Sequence, residues 1–371
     1  MKRRDFVKGL GVGTLASTSL LIGCSQADSD KGKPGTSGTK PAARIKWKMV
    51  TTWPKNFPVL GTGANLLAEM ITKMSGGRLT VKVYGAKELV PAFEVFNAVS
   101  NGAAQMGHGA AYYWKSKSEA FQFFAAVPFG LTAQEMNGWL YYGGGMQLWE
   151  QAYKKFGVKP LAAGNTAVQM GGWFNKEINS VADLKGLKMR IPGLGGEVLK
   201  RAGGTPTNLP GGELLTALTT GNIDATEWVG PYNDLAFGLH KAAKYYYYPG
   251  WHEPGTTLEG IVNQKAFDAL PEDLQQIVVN AAKAVNMDML SEYTAKNNQA
   301  LQELVSKHKV KVRRFPDEVL KKLKQLSDEV VKEIAGKDAF SKQVFESFSK
   351  YRDNVTAWHR ISEQAYLNAR S

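Results

Sequence analysis

The sequence predicts an α/β fold with two lobes and a helical C-terminal region. Short β-like runs alternate with longer helical runs from Arg44 onward, and a second alternation of the same kind begins after residue 156. Each alternation predicts an open α/β sheet, so the pair predicts two lobes. From Pro271 to Ser371 the apolar spacing is almost wholly helical.

The first alternation opens with a β-α-β unit. Its strands are IKWKMVTTW and RLTVKVYGA. The segment between them ends at Gly76-Gly77 and spaces its apolar side chains as a helix does: Leu66, Leu67, Met70, Ile71 and Met74. A helix at AFEVFNAVSNG then leads into a buried strand, QMGHGAAYYW, which emerges into Tyr112, Tyr113 and Trp114. Residues 131–156 are helix-rich, with a break at Gly143–Gly145.

The second alternation repeats this pattern. Strands are predicted at VKPLAAGNTA, at VQMGGWFN and at the end of VADLKGLKMRIPG, whose first residues form a short helix. GEVLKRAGG is the next helix. A last helix carries Leu214, Leu215 and Leu218, stops at Gly221, and is followed by a strand that ends at Glu227-Trp228.

The C-terminal region carries a narrow apolar stripe. Its members are spaced four and three residues apart: Val344, Phe348, Tyr351, Val355 and Trp358. Such spacing is typical of coiled-coil packing. The stripe fits packing against its own domain or a contact between two copies of the chain, and we predict a homodimer.

Residues 1–24 predict an export signal. A charged start containing Arg3 and Arg4 precedes an apolar stretch, residues 7–23, and small residues follow it. The arginine pair resembles a twin-arginine signal, which exports folded proteins, and an ordinary secretory signal is the alternative. Either route predicts a periplasmic protein.

Cys24 is the single cysteine of the chain. Leu21 to Cys24 resembles a lipoprotein box, which predicts lipidation of Cys24 and attachment to a membrane, whereas ordinary cleavage near Ala27 is the alternative. A single cysteine also excludes an intrachain disulfide. Residues 25–43 are rich in Ser, Gly, Lys, Pro and Thr and predict a flexible linker.

The formal net charge of +13 raises the question of a nucleic-acid partner. Four basic residues precede Cys24, and many others lie in C-terminal helical runs such as KEIAGK, where acids are interleaved. This distribution is typical of solvated helix faces, so we predict no nucleic-acid partner. No segment after the signal has the ~18 uninterrupted apolar residues that suggest a membrane span.

Known catalytic motifs are incomplete or missing in the sequence. Gly193 to Val198 lies between a strand and a helix, but Val198 occupies the sixth position of the dinucleotide-binding pattern. Walker, H-E-x-x-H and G-x-S-x-G motifs do not occur, and the five histidines have no two-ligand helical spacing. His108, among small apolar residues, predicts a satisfied core histidine.

Two strand ends carry charged residues suited to binding. Arg190 precedes a Pro-Gly turn, where its planar guanidinium suits a carboxylate, and a structural salt bridge is the alternative. Glu227 ends a strand in an apolar segment beside Trp228. A buried glutamate must be neutralised, paired or bound to a cation, so this segment predicts a ligand site.

Together these segments resemble the solute-binding proteins of tripartite ATP-independent periplasmic (TRAP) transporters. The resemblance rests on WPKNFPVLGTGANLLAEMI, on DLKGLKMR, which matches the signature of that family, and on GNIDATEWVGPYND. With YYYYPGWHEPG and the VQMGGWF segment, the chain is most similar to the branch that binds 2-oxo acids such as pyruvate. The resemblance covers residues 44–371 and implies a two-lobed, periplasmic-binding-protein-like fold with a cleft between the lobes.

The resemblance also implies roles for particular residues. Arg190 would hold the substrate carboxylate. Glu227, the carbonyl of Trp228 and Gln169 would hold a cation that also touches the substrate, and such hard oxygen donors select Na⁺ or Ca²⁺ over zinc or copper. Glu253 would lie near the same pocket. Aromatic side chains would form the walls: Tyr112, Tyr113 and Trp251.

We accordingly place lobe I at 44–165 with a return segment at about 249–270, lobe II at 166–248, and the C-terminal helices at 271–371. The predicted function is capture of a small 2-oxo or 2-hydroxy monocarboxylate with its cation, for delivery to a membrane permease and without catalysis. An exported metal-assisted enzyme built on Glu227, Gln169 and Glu253 is the alternative. A lipoprotein scaffold that uses the C-terminal stripe is a third interpretation.

Overall fold

The computed structural model describes residues 44–370. The predicted export signal, the lipidation site Cys24 and the linker at 25–43 lie outside the described residues. Two β-sheets flanked by helices form this part of the chain, which confirms the predicted α/β class. None of the helices within residues 44–370 is long and apolar enough to cross a membrane.

The strands of the described region are short. They are β1 (Ile45–Thr51), β2 (Leu79–Tyr84), β3 (Met106–Gly109), β4 (Val158–Asn165), β5 (Gly172–Phe174), β6 (Lys188–Arg190), β7 (Thr205–Thr207), β8 (Ala225–Thr226), β9 (Tyr245–Tyr248), β10 (Thr257–Asn263) and β11 (Lys311–Arg314).

Longer helices connect and cover the strands. They are α1 (Leu60–Met74), α2 (Val95–Ser100), α3 (Ala133–Tyr142), α4 (Gly145–Lys154), α5 (Gly193–Arg201), α6 (Leu214–Thr219), α7 (Pro231–Phe237), α8 (Gln264–Asp268), α9 (Glu272–Ser306), α10 (Asp317–Ala335), α11 (Ala339–Ile361) and α12 (Glu363–Arg370). Short 3₁₀ helices lie at Ala92–Glu94, Ala111–Trp114, Glu119–Phe124, Val181–Leu184, Gly211–Glu213 and Leu239–Lys241.

The two sheets differ in their strand order. The first sheet runs β2-β1-β3-β10-β4, and the second runs β11-β9-β5-β8-β6-β7. β1 is parallel to β2 and β3, whereas β10 is antiparallel to β3 and β4. Because β10 follows the β5 to β9 strands in sequence but lies in the first sheet, the chain passes between the two sheets more than once.

Apolar spacing explains why α1 forms where it does. Leu67 and Ile71 face the core and are fully buried, Leu66 and Met70 are partly buried against it, and Met74 is exposed. The helix ends where predicted, because Gly76 and Gly77 adopt positive φ angles of 60° and 77° that turn the chain. The amide of Gly77 then donates to the carbonyl of Thr72 at 2.9 Å.

The structure corrects the strand predicted at VQMGGWFN. Only Gly172–Phe174 form a strand, and Gln169 lies in the connection before it. Backbone hydrogen bonds explain the difference. The amide of Gln169 donates to the carbonyl of Glu253 (3.2 Å), and its carbonyl accepts from the amide of Gly250 (2.9 Å), so this segment pairs with the chain around Glu253 instead of a neighbouring strand.

The almost wholly helical prediction for 271–371 is wrong at one place. Lys311–Arg314 form β11, which pairs in parallel with β9 at the edge of the second sheet. Its run, KVRR, has one apolar residue and lies between two long helices, so periodicity carried little information there.

The apolar stripe of α11 has two environments. Val344 and Phe348 are fully buried, and the Phe348 ring packs against Trp139 with a centroid distance of 5.2 Å. Trp358 at the other end is 61% exposed. The first half therefore packs against its own domain, and a contact between two copies stays a prediction for the second half.

His108 is a satisfied core histidine, as predicted. Its Nδ1 accepts a hydrogen bond from Trp53 Nε1 at 2.8 Å, and its Nε2 lies 3.0 Å from the carbonyl oxygen of Ala163. Burial lowers the pKa of His108 to about 4. The ring is therefore neutral, with its proton on Nε2.

Glu259 on β10 is a buried carboxyl group that links folding to pH. It accepts from Tyr153 Oη at 2.7 Å and from Trp114 Nε1, and burial raises its pKa from 4.5 to about 7. The folded state therefore holds this proton more tightly than the unfolded chain does. The associated stabilisation is complete below pH ~4.5 and is lost as the pH rises through about 7.

We expect Glu259→Gln to reduce the fall in the free energy of unfolding between these pH values by up to about 3 kcal/mol. Urea denaturation across a pH series measures it, with Glu69→Gln on the exposed face of α1 as the control. This account would be contradicted if the free energy of unfolding of Glu259→Gln fell with pH as steeply as that of the wild type.

Candidate ligand-binding site

The two charged residues predicted for the site lie side by side in the second sheet. β6 ends at Arg190, and its parallel neighbour β8 ends at Thr226, directly before Glu227. The amide of Glu227 donates to the carbonyl of Arg190 at 3.2 Å. Because the carboxyl ends of parallel strands meet at one edge of a sheet, both side chains project from the same edge.

Arg190 is buried and surrounded by acceptors. Its guanidinium donates to Glu227 Oε1, to the Glu227 carbonyl at 3.3 Å, to the Leu209 carbonyl at 3.1 Å and to Tyr113 Oη at 3.4 Å. Its Cζ lies 5.1 Å from the centroid of the Trp228 ring. Burial alone would lower the pKa of Arg190, but Glu227 together with Tyr113, Tyr112 and Glu253 raises that pKa above the usual value.

Glu227 offers one oxygen that the protein does not use. Oε1 pairs with Arg190, whereas Oε2 has no hydrogen-bond partner in the part of the chain that the structure describes. The Nε2 atom of His252 lies 3.4 Å from Oε2, but the geometry is not that of a hydrogen bond. A buried oxygen left in this way costs about 1–3 kcal/mol, unless a ligand supplies a partner.

Gln169 offers a second unused oxygen. Its amide nitrogen donates to Glu253 Oε2 at 2.8 Å and to Thr166 Oγ1 at 3.0 Å. This orientation leaves Oε1 without a hydrogen-bond partner among residues 44–370. Two buried hard oxygens are therefore available, and their chemistry fits Na⁺ or Ca²⁺.

Glu253 lies beside these groups and is held by several donors. Oε2 accepts from Thr256 Oγ1 at 2.5 Å and lies 3.5 Å from Tyr112 Oη. Burial and the neighbouring Glu227 carboxylate raise the pKa of Glu253 to about 7. Two carboxyl groups that repel each other in a dry site favour a cation near them.

The predicted aromatic walls lie at different distances from the charged residues. Tyr112 and Tyr113 meet edge to face at 4.8 Å and contact Glu253 and Arg190 through their hydroxyls. The Trp251 ring instead packs against Phe129, at 5.9 Å, and against His252, at 5.5 Å. Trp251 therefore borders the site through His252.

His252 is the site residue that the sequence interpretation missed. It is 1% exposed, and neither ring nitrogen has a hydrogen-bond partner within the described residues. Ligand atoms of Glu227, His252 and Glu253 all lie within 4.8 Å of one another. Helical spacing could not reveal it, because Glu227 is distant in sequence, but its place between Trp251 and Glu253 was a usable signal.

A cavity of about 580 Å³ opens beside this site. Tyr112, Tyr113 and Lys115 line one side, and the start of α5 lines the other. Two ion pairs cross between the segments that follow strands of the two sheets: Lys115 with Glu197 at 2.7 Å, and Lys87 with Glu213 at 2.8 Å. The site therefore lies at the junction of the two sheets.

Asp234 in α7 supports the segment that carries Trp228. One carboxylate oxygen accepts from the amide of Val229 at 3.3 Å, and the other accepts from Trp173 Nε1 at 3.0 Å and Tyr246 Oη at 2.7 Å. This network fixes the direction of the backbone after Glu227.

We expect Asp234→Asn to weaken ligand binding about tenfold, or ~1.4 kcal/mol, because the amide nitrogen cannot accept the hydrogen bonds that one carboxylate oxygen now receives. Titration calorimetry of the purified variant measures it. Asp224→Asn, whose carboxylate accepts from the amide of Lys188 near the opposite ends of β6 and β8, is the matched control. Affinity within twofold of the wild type in Asp234→Asn would remove this positioning role.

A family model covers most of the chain. The model described as bacterial extracellular solute-binding protein, family 7 (DctP), matches residues 49–338. The chain is also 43% identical to the monocarboxylate 2-oxoacid-binding periplasmic protein of Nostoc sp., over 99% of this chain and 98% of that protein.

Two solved structures share the fold. A TRAP periplasmic solute-binding protein from Pseudoalteromonas atlantica, with bound sodium and pyruvate, has a TM-score of 0.85 and 48% identity over 88% of this chain and 99% of that one. The corresponding protein from Colwellia psychrerythraea, with bound calcium and pyruvate, has a TM-score of 0.85 and 47% identity over the same shares, 88% and 99%. The two-lobed architecture predicted from the sequence is thereby confirmed.

Proposed function

Because the chain belongs to family 7 of the bacterial extracellular solute-binding proteins, the DctP family that serves TRAP transporters, we propose that it captures a small 2-oxo or 2-hydroxy monocarboxylate such as pyruvate. A Na⁺ or Ca²⁺ ion is bound with the acid. The protein acts in the periplasm and delivers its ligand to the membrane permease. Relatives that bind pyruvate with sodium and with calcium support the choice of ligand and ion.

One observation carries the proposal: a buried arginine lies beside buried oxygens that have no hydrogen-bond partner within residues 44–370. Arg190 supplies the positive charge for the carboxylate, and Glu227 Oε2 and Gln169 Oε1 supply oxygen ligands for the ion. The carbonyl of Trp228 completes the proposed oxygen set. A bound ion would neutralise the repulsion between Glu227 and an incoming carboxylate, and a cation and an anion would enter the buried site together.

The ligand acid takes the place of a partner that Arg190 already has. In the structure Arg190 donates to Glu227, so its charge is compensated and its donors are oriented. The incoming carboxylate accepts from the guanidinium, and Glu227 is then free to turn toward the ion. Tyr112 and Tyr113 exclude water from the same side and limit the length of the acid.

Closure of the cleft follows from contacts that span the two sheets. Arg190 of the second sheet reaches Tyr113, which follows β3 of the first sheet, at 3.4 Å. A ligand held by both sides stabilises the closed arrangement by its differential affinity, which is how binding would be signalled to a permease.

Native mass spectrometry of the protein as purified tests the ligand class directly. We expect a mass excess equal to one small carboxylic acid plus one Na⁺ or Ca²⁺. A protein that carries no acid, and whose melting temperature does not rise with pyruvate, lactate or longer 2-oxo acids, would overturn the proposal.

The alternative of a metal-assisted enzyme is tested with the same ligands. Incubation of the protein with 2-oxo acids in the presence of Na⁺ or Ca²⁺, followed by NMR, is expected to show no conversion. Turnover that disappears in Glu227→Gln would instead favour the enzyme.

Export and assembly form a further part of the proposal. The twin-arginine pattern and Cys24 support export of the folded protein and a lipid anchor. The exposed Trp358, Ile361 and Tyr366 support a homodimer through the C-terminal helices. Retention of Cys24→Ala in the membrane fraction would contradict the anchor, and sedimentation as a monomer at micromolar concentration would contradict the dimer.

A further inference from the structure

We propose that the ligand-free site also binds a borderline divalent ion such as Zn²⁺, through His252, Glu227 and Glu253, and that this ion excludes the carboxylate ligand. The inference concerns the same site as the proposed function and rests on it only for the competition. The oxygen set that serves Na⁺ or Ca²⁺ makes no use of His252, so that function leaves a buried imidazole unexplained.

Two buried atoms without hydrogen-bond partners among the described residues, His252 Nε2 and Glu227 Oε2, lie close together. His252 is 1% exposed, and both its nitrogens lack hydrogen-bond partners among the residues described, as does Glu227 Oε2. His252 Nε2 and Glu227 Oε2 are 3.4 Å apart. Two ligands of a four-coordinate zinc with bonds of about 2.1 Å lie about 3.4 Å from each other, so this pair has the required spacing.

The third side chain and the charge balance complete the site. Glu253 lies within the same 4.8 Å cluster. A dication held between Glu227 and Glu253 would remove their mutual repulsion, and Arg190 keeps its contact with the other oxygen of Glu227. Gln169 Oε1, also without a partner within residues 44–370, offers a fourth ligand.

The imidazole nitrogen of His252 determines which ions the site binds more tightly. Imidazole suits zinc, nickel and copper, whereas Na⁺ and Ca²⁺ prefer oxygen. The affinity of a given N/O site rises across the first-row dications up to Cu²⁺ and is lower again for Zn²⁺. His252 therefore makes the site selective for a second class of ion when no carboxylic acid occupies it. Because both ions would use Glu227, Zn²⁺ and pyruvate with Na⁺ cannot bind together.

Zinc binding at another histidine pair must be distinguished from binding at this site in any experiment. The rings of His240 and His308 lie 4.0 Å apart, and two histidines near each other also attract zinc. The titrations are therefore made in the His308→Asn background, with and without His252→Asn. Thermal melts confirm that each variant is folded, and His252→Gln serves as a second substitution.

Zn²⁺ is titrated calorimetrically into the ligand-free protein, and Co²⁺ is used as a visible spectroscopic probe. We expect one Zn²⁺ per chain and the intense absorption of four- or five-coordinate Co²⁺. His252→Asn should weaken Zn²⁺ binding by more than the roughly 10–100-fold that loss of an outer-sphere partner costs. It should cost at least ten times more Zn²⁺ affinity than pyruvate affinity, and saturating Zn²⁺ should block pyruvate.

Three outcomes would overturn the inference. They are equal Zn²⁺ affinity with and without His252, a Co²⁺ spectrum typical of six oxygen ligands, and simultaneous binding of Zn²⁺ and pyruvate. Failure of the proposed function reads differently. In that case the wild type would not bind pyruvate with Na⁺ or Ca²⁺, whatever its affinity for Zn²⁺.

Discussion

Replacement of Arg190 by alanine is expected to reduce the affinity for pyruvate at least about 1,000-fold, or ~4 kcal/mol. The guanidinium is a buried cationic donor at the centre of the site. The stabilisation against heat that pyruvate gives the wild type should disappear as well. Calorimetry and thermal melts of the purified variant measure both effects.

The same substitution also affects folding, which calls for a matched variant. Removal of Arg190 leaves Glu227 buried without a counter-charge, and breaking a buried pair costs about 3–5 kcal/mol. Arg190→Gln combined with Glu227→Gln removes both charges and should recover much of this stability without recovering binding. Arg201→Ala, which breaks an exposed pair with Glu333, is the control. Binding of pyruvate by Arg190→Ala within tenfold of the wild type would remove Arg190 from the site.

Replacement of Glu227 by glutamine is expected to abolish the dependence of pyruvate binding on Na⁺ or Ca²⁺. The amide keeps the shape of the side chain but lacks the negative charge that attracts the ion. We expect the pyruvate affinity to fall about 100-fold, or ~3 kcal/mol. Calorimetry in a series of Na⁺ and Ca²⁺ concentrations measures the change.

A rim glutamate provides the comparison for this second prediction. Glu197 pairs with Lys115 near the cavity mouth and is half-exposed, so Glu197→Gln should change affinity by no more than about fivefold, or ~1 kcal/mol. A Glu227→Gln variant that keeps the ion dependence of the wild type would show that another residue binds the cation.

The outline of the fold could be predicted because local sequence patterns define many of its helices and strands. The apolar positions of α1 repeat at helical spacing, and two glycines with positive φ mark its end. By contrast, β11 forms by pairing with β9, a strand distant in sequence. Its short polar run carries no periodic signal, so only the tertiary pairing defines it.

The binding site also combines residues that local sequence patterns reveal with residues that only the tertiary structure brings together. Arg190 ends β6 and Glu227 directly follows β8, each in a recognisable motif, and the structure brings the two side chains together. Gln169 was identified as a candidate ligand but assigned to a strand, because the sequence does not show that its backbone pairs with Gly250 and Glu253. The role of His252 depends on distances to Glu227 that no local pattern encodes.

The charge states of the buried acids are also products of folding. Glu253 and Glu259 are ordinary glutamates in the sequence, yet burial raises the pKa of each to about 7. Hydrogen bonds from Thr256 to the first, and from Trp114 and Tyr153 to the second, oppose this effect. Such balances require the three-dimensional neighbours to be known.

The central claim is that a carboxylate on Arg190 and a cation on Glu227 are bound together. The most direct test is calorimetric titration of pyruvate into the ligand-free protein in a choline buffer with chelator, and again after Na⁺ or Ca²⁺ is restored. We expect weak or undetectable binding without the ions and a single strong site in their presence. Equal affinity under both conditions would contradict the claim.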